Sequence, residues 1–173
     1  KKYDGLKFCL VMKPEAEEIA VIRDADMGKV SERIRKLEEK YGINIICGEN
    51  VPDSFTQYTI SPVEDEDTLL LALDEIDRGL EVFPEGMFRE MTKKAWNGYN
   101  IYLGTDFVPE ADSGYIVAAG LAGVEYGYAC IYIDVCMDWI AGTAIHETIH
   151  NIENLWMGME ETSGYSEEWD ACN

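Results

Sequence analysis

The chain has 173 residues, of which 47% are hydrophobic, and it carries 34 Asp and Glu against 14 Lys and Arg. This length and composition predict one folded domain over residues 1–173 and argue against a disordered acidic tail. The net charge of −20 disfavours nucleic acid and anionic membrane surfaces as partners, because both are themselves negative. No apolar run reaches the roughly 18 residues that a membrane span needs.

The N-terminal part of the chain has a mixed pattern of strands and helices. Strands are predicted at residues 6–12 and 43–47, with a shorter apolar piece at 19–22. Between them, apolar residues spaced three and four apart predict a helix that ends at Gly42, a residue suited to a left-handed cap. The apolar positions of this helix are Met27, Val30, Ile34, Leu37 and Tyr41.

Two further helices are predicted in the middle of the chain. Ser61-Pro-Val-Glu64 has the form of a capping box with Pro62 at the first helical position, which predicts a helix start. The apolar face of this helix comprises Leu69, Leu73, Ile76, Leu80 and Phe83. Pro84 is then predicted to begin another helix, whose apolar residues are Met87, Phe88, Met91 and Ala95.

The C-terminal half is predicted to consist of strands followed by a helix. A strand is predicted at 100–103, and runs at 115–119 and 128–135 predict a hairpin. The Gly-rich stretch 120–127 is interpreted as the connection within this hairpin. The element order predicts an α+β fold, with a mixed sheet packed against helices.

The five cysteines are an odd number and show no CxxC spacing, so they predict neither a zinc knuckle nor a redox motif. They are Cys9, Cys47, Cys130, Cys136 and Cys172. The first three lie in apolar runs and are predicted to be small buried hydrophobic residues. The sequence leaves their disulfide pairing open.

The sequence His146-Glu-Thr-Ile-His150 contains both histidines of the protein. On a helix, residues four apart lie on one face, so both imidazoles can reach one metal ion. Glu147 lies about 100° around the helix from His146, where its carboxylate can take a proton from a water that zinc has activated. The motif therefore predicts zinc ligands at His146 and His150 and a general base at Glu147. Two helical histidines that merely coincide are the alternative.

The other residues of this helix predict how it packs against the core and the sheet. Ile145, Ile149, Ile152 and Trp156 recur at spacings of four, three and four, which predicts a core-facing stripe on a different face from the histidines. The small residues at 142–144 are predicted to let the first half of the helix pack closely against the sheet.

A catalytic zinc normally has three protein ligands, and this chain has no third histidine. In the pattern HExxHxxGxxH, Glu153 and Trp156 stand where Gly and His belong, so that pattern is excluded. The third ligand is then a carboxylate or a thiolate, either beyond Asn173 or among Glu160, Glu161, Glu167, Glu168, Asp170 and Cys172. Of these, Glu167 and Asp170 lie in a run that could begin another helix. If the ligand lies beyond Asn173, this chain should bind zinc weakly or not at all and should be inactive.

The chain resembles the zinc-binding metallopeptidases of bacterial exported lipoproteins and surface proteins. Those proteins are distantly similar to the catalytic domain of anthrax lethal factor. The resemblance covers roughly residues 30–156. It rests on the helix 69–83 running into Pro84-Glu-Gly-Met-Phe88, the strands 100–103 and 129–135, and His146-Glu-Thr-Ile-His150. It implies a zincin-like fold with an active-site helix, and a gluzincin site whose third ligand is a downstream glutamate. Tyr165 is a candidate for stabilising the oxyanion.

The function that the resemblance implies is hydrolysis of peptide bonds in a peptide or protein substrate, with zinc as the cofactor. It also implies export to the cell surface, with a lipoprotein signal segment removed. The alternative is a catalytically degenerate, peptidase-like domain used for binding or adhesion at the cell surface. A zinc hydrolase acting on a non-peptide amide would use the same residues. The sequence leaves the substrate and the oligomeric state open.

Overall fold

The computed structural model describes residues 28–94, 97–111 and 117–157. The strands predicted at 6–12 and 19–22 lie outside these residues. In chain order the elements are α1 (Gly28–Tyr41), β1 (Asn44–Ile46), a short 3-10 helix (Gly48–Asn50), β2 (Ser54–Phe55), β3 (Tyr58–Pro62), α2 (Glu66–Leu80), α3 (Met87–Lys94), β4 (Tyr99–Pro109), β5 (Gly120–Glu125), β6 (Tyr128–Asp134) and α4 (Ile140–Met157).

Six strands of the described chain form one mixed sheet. Five of them follow the order β2-β3-β4-β6-β5, and the sixth, β1, pairs with β4, the longest strand. The first part of β4 pairs in parallel with β1, and its later part pairs antiparallel with β3. On the other side of β4 lies β6, in parallel, and β5 is antiparallel to β6 at the end of the order. The predicted mixed sheet is therefore confirmed.

The main core lies between the helices and one face of this sheet. It contains alternate residues of the two central strands, Tyr99, Ile101 and Leu103 of β4 with Ala129, Ile131 and Ile133 of β6. Residues of all four helices pack against them. This arrangement confirms the α+β class with helices packed on a mixed sheet. None of the described helices is long and apolar enough to cross a membrane.

The opposite face of the sheet carries a smaller apolar layer. Tyr102 and Tyr132, which are register partners on β4 and β6, stack with ring centroids 4.4 Å apart. Phe55 of β2 stacks on Tyr132 from the other side, also at 4.4 Å. The first hairpin, β2–β3, therefore reaches over this face of the sheet.

The first helix follows the prediction closely. Val30, Ile34 and Leu37 of α1 are buried, and Gly42 follows with a φ of +74°. The amide of Gly42 donates to the Glu38 carbonyl at 2.8 Å, as a left-handed C-terminal cap requires. Met27 lies outside the described residues.

The predicted start of α2 is wrong by four residues. Ser61 and Pro62 end strand β3 and pair with Thr105 and Gly104 of β4, a place where the missing N–H of proline is tolerated. The helix is capped instead by Asp65, whose Oδ2 accepts from the Thr68 amide at 2.8 Å. The predicted buried face of α2 is confirmed at Leu69, Leu73, Ile76 and Leu80, whereas Phe83 lies beyond the helix.

The interpretation of 120–127 as a connection is also wrong. Residues 120–125 form strand β5, and the turn to β6 consists of Tyr126 and Gly127, both with positive φ. Two such residues are the hallmark of a type I′ hairpin turn. Gly123 lies where Phe55 packs, since a Cβ there would be 2.8 Å from its ring. The glycines of this segment therefore allow close packing within a strand.

Three of the cysteines, Cys47, Cys130 and Cys136, lie within the described residues. Cys130 is fully buried in β6, as predicted, and burial raises the pKa of its thiol to about 12. Cys47 is partly buried and Cys136 is exposed. Cys9 and Cys172 lie outside the described residues.

Candidate metal and catalytic site

Helix α4 begins beyond the end of β6 and packs back along the sheet. Its buried face consists of Ala141, Ala144, Thr148 and Asn151, so small and polar residues make the contact. The predicted stripe is wrong for Ile145 and Ile149, which are only partly buried. Ile152 does pack against the core, and no side chain is described at Trp156. Small residues are favoured on this face of α4 because the backbones of the helix and the sheet approach closely.

A second close contact holds the start of α4 against α2. A Cβ added to Gly79 would lie only 2.6 Å from the Ala141 carbonyl oxygen. Because a backbone atom cannot move aside as a flexible side chain can, Gly79 allows α2 and α4 to approach at this point. The helix bearing the two histidines is therefore packed against both the sheet and α2.

Hydrogen bonds between buried polar groups join α4 to the central strands. The Tyr99 hydroxyl lies 3.0 Å from Thr148 Oγ1, and Asn151 Nδ2 donates to the Cys130 carbonyl at 3.0 Å. Burial raises the pKa of Tyr99 to about 12, so this hydroxyl stays protonated. Buried polar groups are nearly always paired, so these bonds favour one rotation and one depth of α4. None of these residues was predicted from the sequence to be part of the site.

The two histidines converge from the exposed side of α4. Their Nε2 atoms lie 3.0 Å apart, with ring planes at 88°. Two nitrogens bound to one tetrahedral zinc at ordinary bond lengths lie about 3.3–3.4 Å apart. The observed spacing is a few tenths of an ångström shorter, which a small side-chain rotation corrects. His146 and His150 therefore fit a metal ion as two of its ligands.

Glu147 lies between this pair and the sheet. Only 7% of it is exposed, and a Cβ at Gly120 of β5 would lie 2.9 Å from its Oε1. Burial raises the pKa of the Glu147 carboxyl to about 6, against an opposing effect of His150. A carboxyl with a pKa near neutrality is suited to accept a proton and to return it.

A carboxylate that the sequence analysis did not assign lies on the far side of His150. Glu153 Oε2 is 3.4 Å from His150 Nδ1, the nitrogen that faces away from His146. Burial lowers the pKa of His146, the nearby His150 lowers it further, and Glu153 opposes both. The i, i+3 spacing of His150 and Glu153 is the sequence signal that could have identified this pair.

The third ligand is not found in the described part of the chain. Within residues 28–94, 97–111 and 117–157, no group of three or more His, Cys, Asp and Glu could hold a metal ion. Tyr165 and the predicted candidates at 160–172 lie outside those residues. The described site therefore consists of two imidazole nitrogens that face each other, a buried carboxylate beside them and a second carboxylate behind one imidazole.

Comparison of the chain with known proteins finds no matching family model, no matching curated protein and no matching solved structure.

Proposed function

We propose that this chain is a zinc-dependent metallopeptidase with a zincin-like fold. The observation that supports it best is the 3.0 Å approach of the two Nε2 atoms, with the buried Glu147 carboxyl next to them in sequence. This contact directs both ring nitrogens toward one point on the exposed side of α4, where one metal ion could contact both. Export to the cell surface belongs to the same proposal and rests on the sequence resemblance alone.

In this mechanism His146 and His150 hold the metal, and Glu147 acts as the general base. Zinc bound there would polarise the peptide carbonyl and lower the pKa of a water molecule toward about 7. Glu147 accepts the proton of the attacking water and then gives it to the departing amine. In the metal-free chain, burial raises the pKa of the Glu147 carboxyl to about 6, which suits a group that takes up a proton and returns it near neutral pH.

A peptide substrate is favoured over a small amide by the strand beside the site. Strand β5 ends the sheet order, and no described strand pairs with its outer edge. The strand at the edge of a sheet can bind an extended peptide as an added strand. The excess of acidic residues favours neutral or basic peptides over acidic ones.

The proposal is tested by calorimetric zinc titration of the metal-free chain. We expect the wild-type chain to bind zinc and the His146→Ala variant to give no binding heat. Gly142→Ala is a suitable control, because a Cβ there meets only Trp139 at 3.6 Å, an ordinary contact. If wild-type and His146→Ala bind zinc equally, or neither binds it, the proposal is wrong. A folded chain with no zinc affinity would favour the binding or adhesion domain instead.

The contact between Gly120 and Glu147 gives a second prediction. In Gly120→Ala, the new methyl group would lie 2.5 Å from Thr143 Cγ2 and 2.7 Å from Glu147 Cγ. The Glu147 side chain must move, and a shift of about 1 Å at a catalytic group costs up to about 100-fold in rate. We therefore expect kcat for peptide hydrolysis to fall by roughly that factor, measured with a fluorogenic peptide.

Gly123→Ala is the matched control for this experiment. It lies on the same strand but meets Phe55 at 2.8 Å on the opposite face of the sheet. Both variants should lose stability by about 1–3 kcal/mol through overpacking, yet only Gly120→Ala should lose activity beyond its loss of folded protein. Equal activity in the two variants would contradict the placement of Glu147.

A further inference from the structure

We propose that Glu153 is a positioning residue that holds the His150 ring in the tautomer with its proton on Nδ1, leaving Nε2 free to bind the metal. The inference deepens the zinc site proposed above and rests on it. It assigns a role to a side chain that the HExxH motif itself does not include.

The two nitrogens of His150 face different partners. Its Nδ1 lies 3.4 Å from Glu153 Oε2, and its Nε2 lies 3.0 Å from His146 Nε2. An ionised carboxylate has no hydrogen to donate, so a hydrogen bond between Glu153 and His150 requires the proton on Nδ1. The 3.4 Å separation is slightly longer than an ordinary hydrogen bond, and a small rotation of the Glu153 side chain closes it.

This assignment also determines the state of His146 in the metal-free chain. With its proton on Nδ1, neutral His150 is a hydrogen-bond acceptor at Nε2. His146 must therefore donate across the 3.0 Å contact from its own Nε2. The two histidines consequently take opposite tautomers when no metal is bound. Binding a metal at both Nε2 atoms then requires a proton shift at His146 only.

The position of Glu153 favours this role over that of a metal ligand. Its carboxylate oxygen lies beside the nitrogen that faces away from the shared Nε2 side. Carboxylates placed behind a ligating histidine fix its orientation and raise its basicity, and their loss costs about 10–100-fold in metal affinity.

The tautomers can be read directly from long-range ¹H–¹⁵N NMR spectra of the metal-free chain. With only two histidines in the protein, the imidazole signals are assigned by comparison with His146→Ala. At pH 8, above the usual imidazole pKa of about 6.5, we expect His150 as the Nδ1–H form and His146 as the Nε2–H form. In Glu153→Ala this preference should be lost, and in Glu153→Gln, whose amide oxygen still accepts, it should persist.

Zinc affinity, measured by competition with a chromophoric chelator, is the second readout. We expect a loss of about 10–100-fold in Glu153→Ala and a smaller loss in Glu153→Gln. Glu75→Ala is the matched control, because Glu75 forms an i, i+3 pair with Arg78 on α2 and has a similar exposed side-chain fraction, 35% against 29%. It should leave zinc affinity unchanged.

Three results would overturn the inference. They are an unchanged His150 tautomer in Glu153→Ala, an unchanged zinc affinity in that variant, or a loss as complete as in His146→Ala, which would make Glu153 a ligand. Absence of zinc binding by the wild-type chain would instead overturn the proposed function. The NMR experiment on the metal-free chain separates the two, because it reads the Glu153–His150 contact without metal.

Discussion

Glu147→Gln should lower kcat/KM for peptide hydrolysis by about 10²–10⁴-fold, the contribution expected of a positioned general base. The amide has nearly the same shape as the carboxyl, so the packing against Gly120 and Thr143 is retained. Zinc affinity should be unaffected, because the two histidines that we propose as ligands are intact. The measurement is a fluorogenic peptide assay on zinc-loaded protein, with zinc content determined on the same samples.

Glu125→Gln is the control for this variant. Glu125 lies on β5 and accepts a hydrogen bond from the Tyr132 hydroxyl at 2.8 Å on the opposite face of the sheet. Because Glu125 faces away from the site, the same chemical change there should leave kcat/KM within about twofold. A twofold change corresponds to about 0.4 kcal/mol in activation free energy. A Glu147→Gln enzyme as active as Glu125→Gln would remove Glu147 from the mechanism.

Glu147→Gln should also make the metal-free chain more stable at neutral pH. Burial raises the pKa of the Glu147 carboxyl from its usual 4.5 to about 6 in the folded protein. Because the folded protein binds this proton more tightly than the unfolded chain does, protonation of Glu147 stabilises the fold. That stability is fully present below pH 4.5 and is lost as the pH rises through 6. Each pKa unit corresponds to about 1.4 kcal/mol, so Glu147→Gln should be more stable by up to about 2 kcal/mol at pH 7.5.

Urea denaturation of the metal-free chain at pH 7.5 and pH 4.3 measures this difference. At pH 4.3 the wild-type carboxyl is protonated in the folded protein, and the two unfolding free energies should agree closely. An equal or lower stability of Glu147→Gln at pH 7.5 would show that burial of this carboxylate costs the fold nothing.

Phe88→Ala should destabilise the protein by about 3–5 kcal/mol, the usual cost of removing a buried aromatic ring. Phe88 is 2% exposed and makes edge contacts with Tyr41, Phe83 and Tyr99 at centroid distances of 6.0, 5.8 and 5.1 Å. The Tyr99 hydroxyl in turn lies 3.0 Å from Thr148 Oγ1 on α4. The cavity therefore opens directly behind the group that joins the central strand to the motif-bearing helix.

Phe83→Ala is the comparison for this core variant. Phe83 is only partly buried and has a described ring contact to Phe88, so its loss should cost roughly half as much or less. Unfolding free energies from urea titrations test both values. If the two variants lose the same stability, the aromatic cluster is not centred on Phe88.

The sequence predicted best those elements whose signal comes from a full period of apolar residues. Three predicted positions of α1 and four of α2 are buried, and Gly42 caps α1 as predicted, because burial of three or four large side chains dominates the local choice. At Ser61 and Pro62 a capping signal competed with strand pairing to β4, and the pairing won. A capping box is a local signal, and a partner strand more than 40 residues later in the chain is invisible to it.

In the site, too, regular spacing in the sequence predicted part of the arrangement, and tertiary contacts decided the rest. The spacing of His146, Glu147 and His150 predicted the two imidazoles on one helix, which the structure has. The isoleucine spacing misled because α4 meets the sheet through Ala144, Thr148 and Asn151, and close approach favours small residues over large ones. Gly120 was interpreted as part of a connecting loop. Its role is to leave room for the Glu147 side chain, and this tertiary contact is not visible in the local sequence.

The contiguity of β5, β6 and α4 in residues 117–157 has a consequence for the order of folding. Every described side chain assigned to the site, and the strand beside it, comes from this one stretch, so few residues separate the partners. Loop closure over short separations is entropically cheap and fast. The hydrogen bond from Tyr99 to Thr148 spans 49 residues and should form later. We therefore expect β5, β6 and α4 to form the geometry of the candidate site early, and α1, α2 and α3 to pack against this unit later.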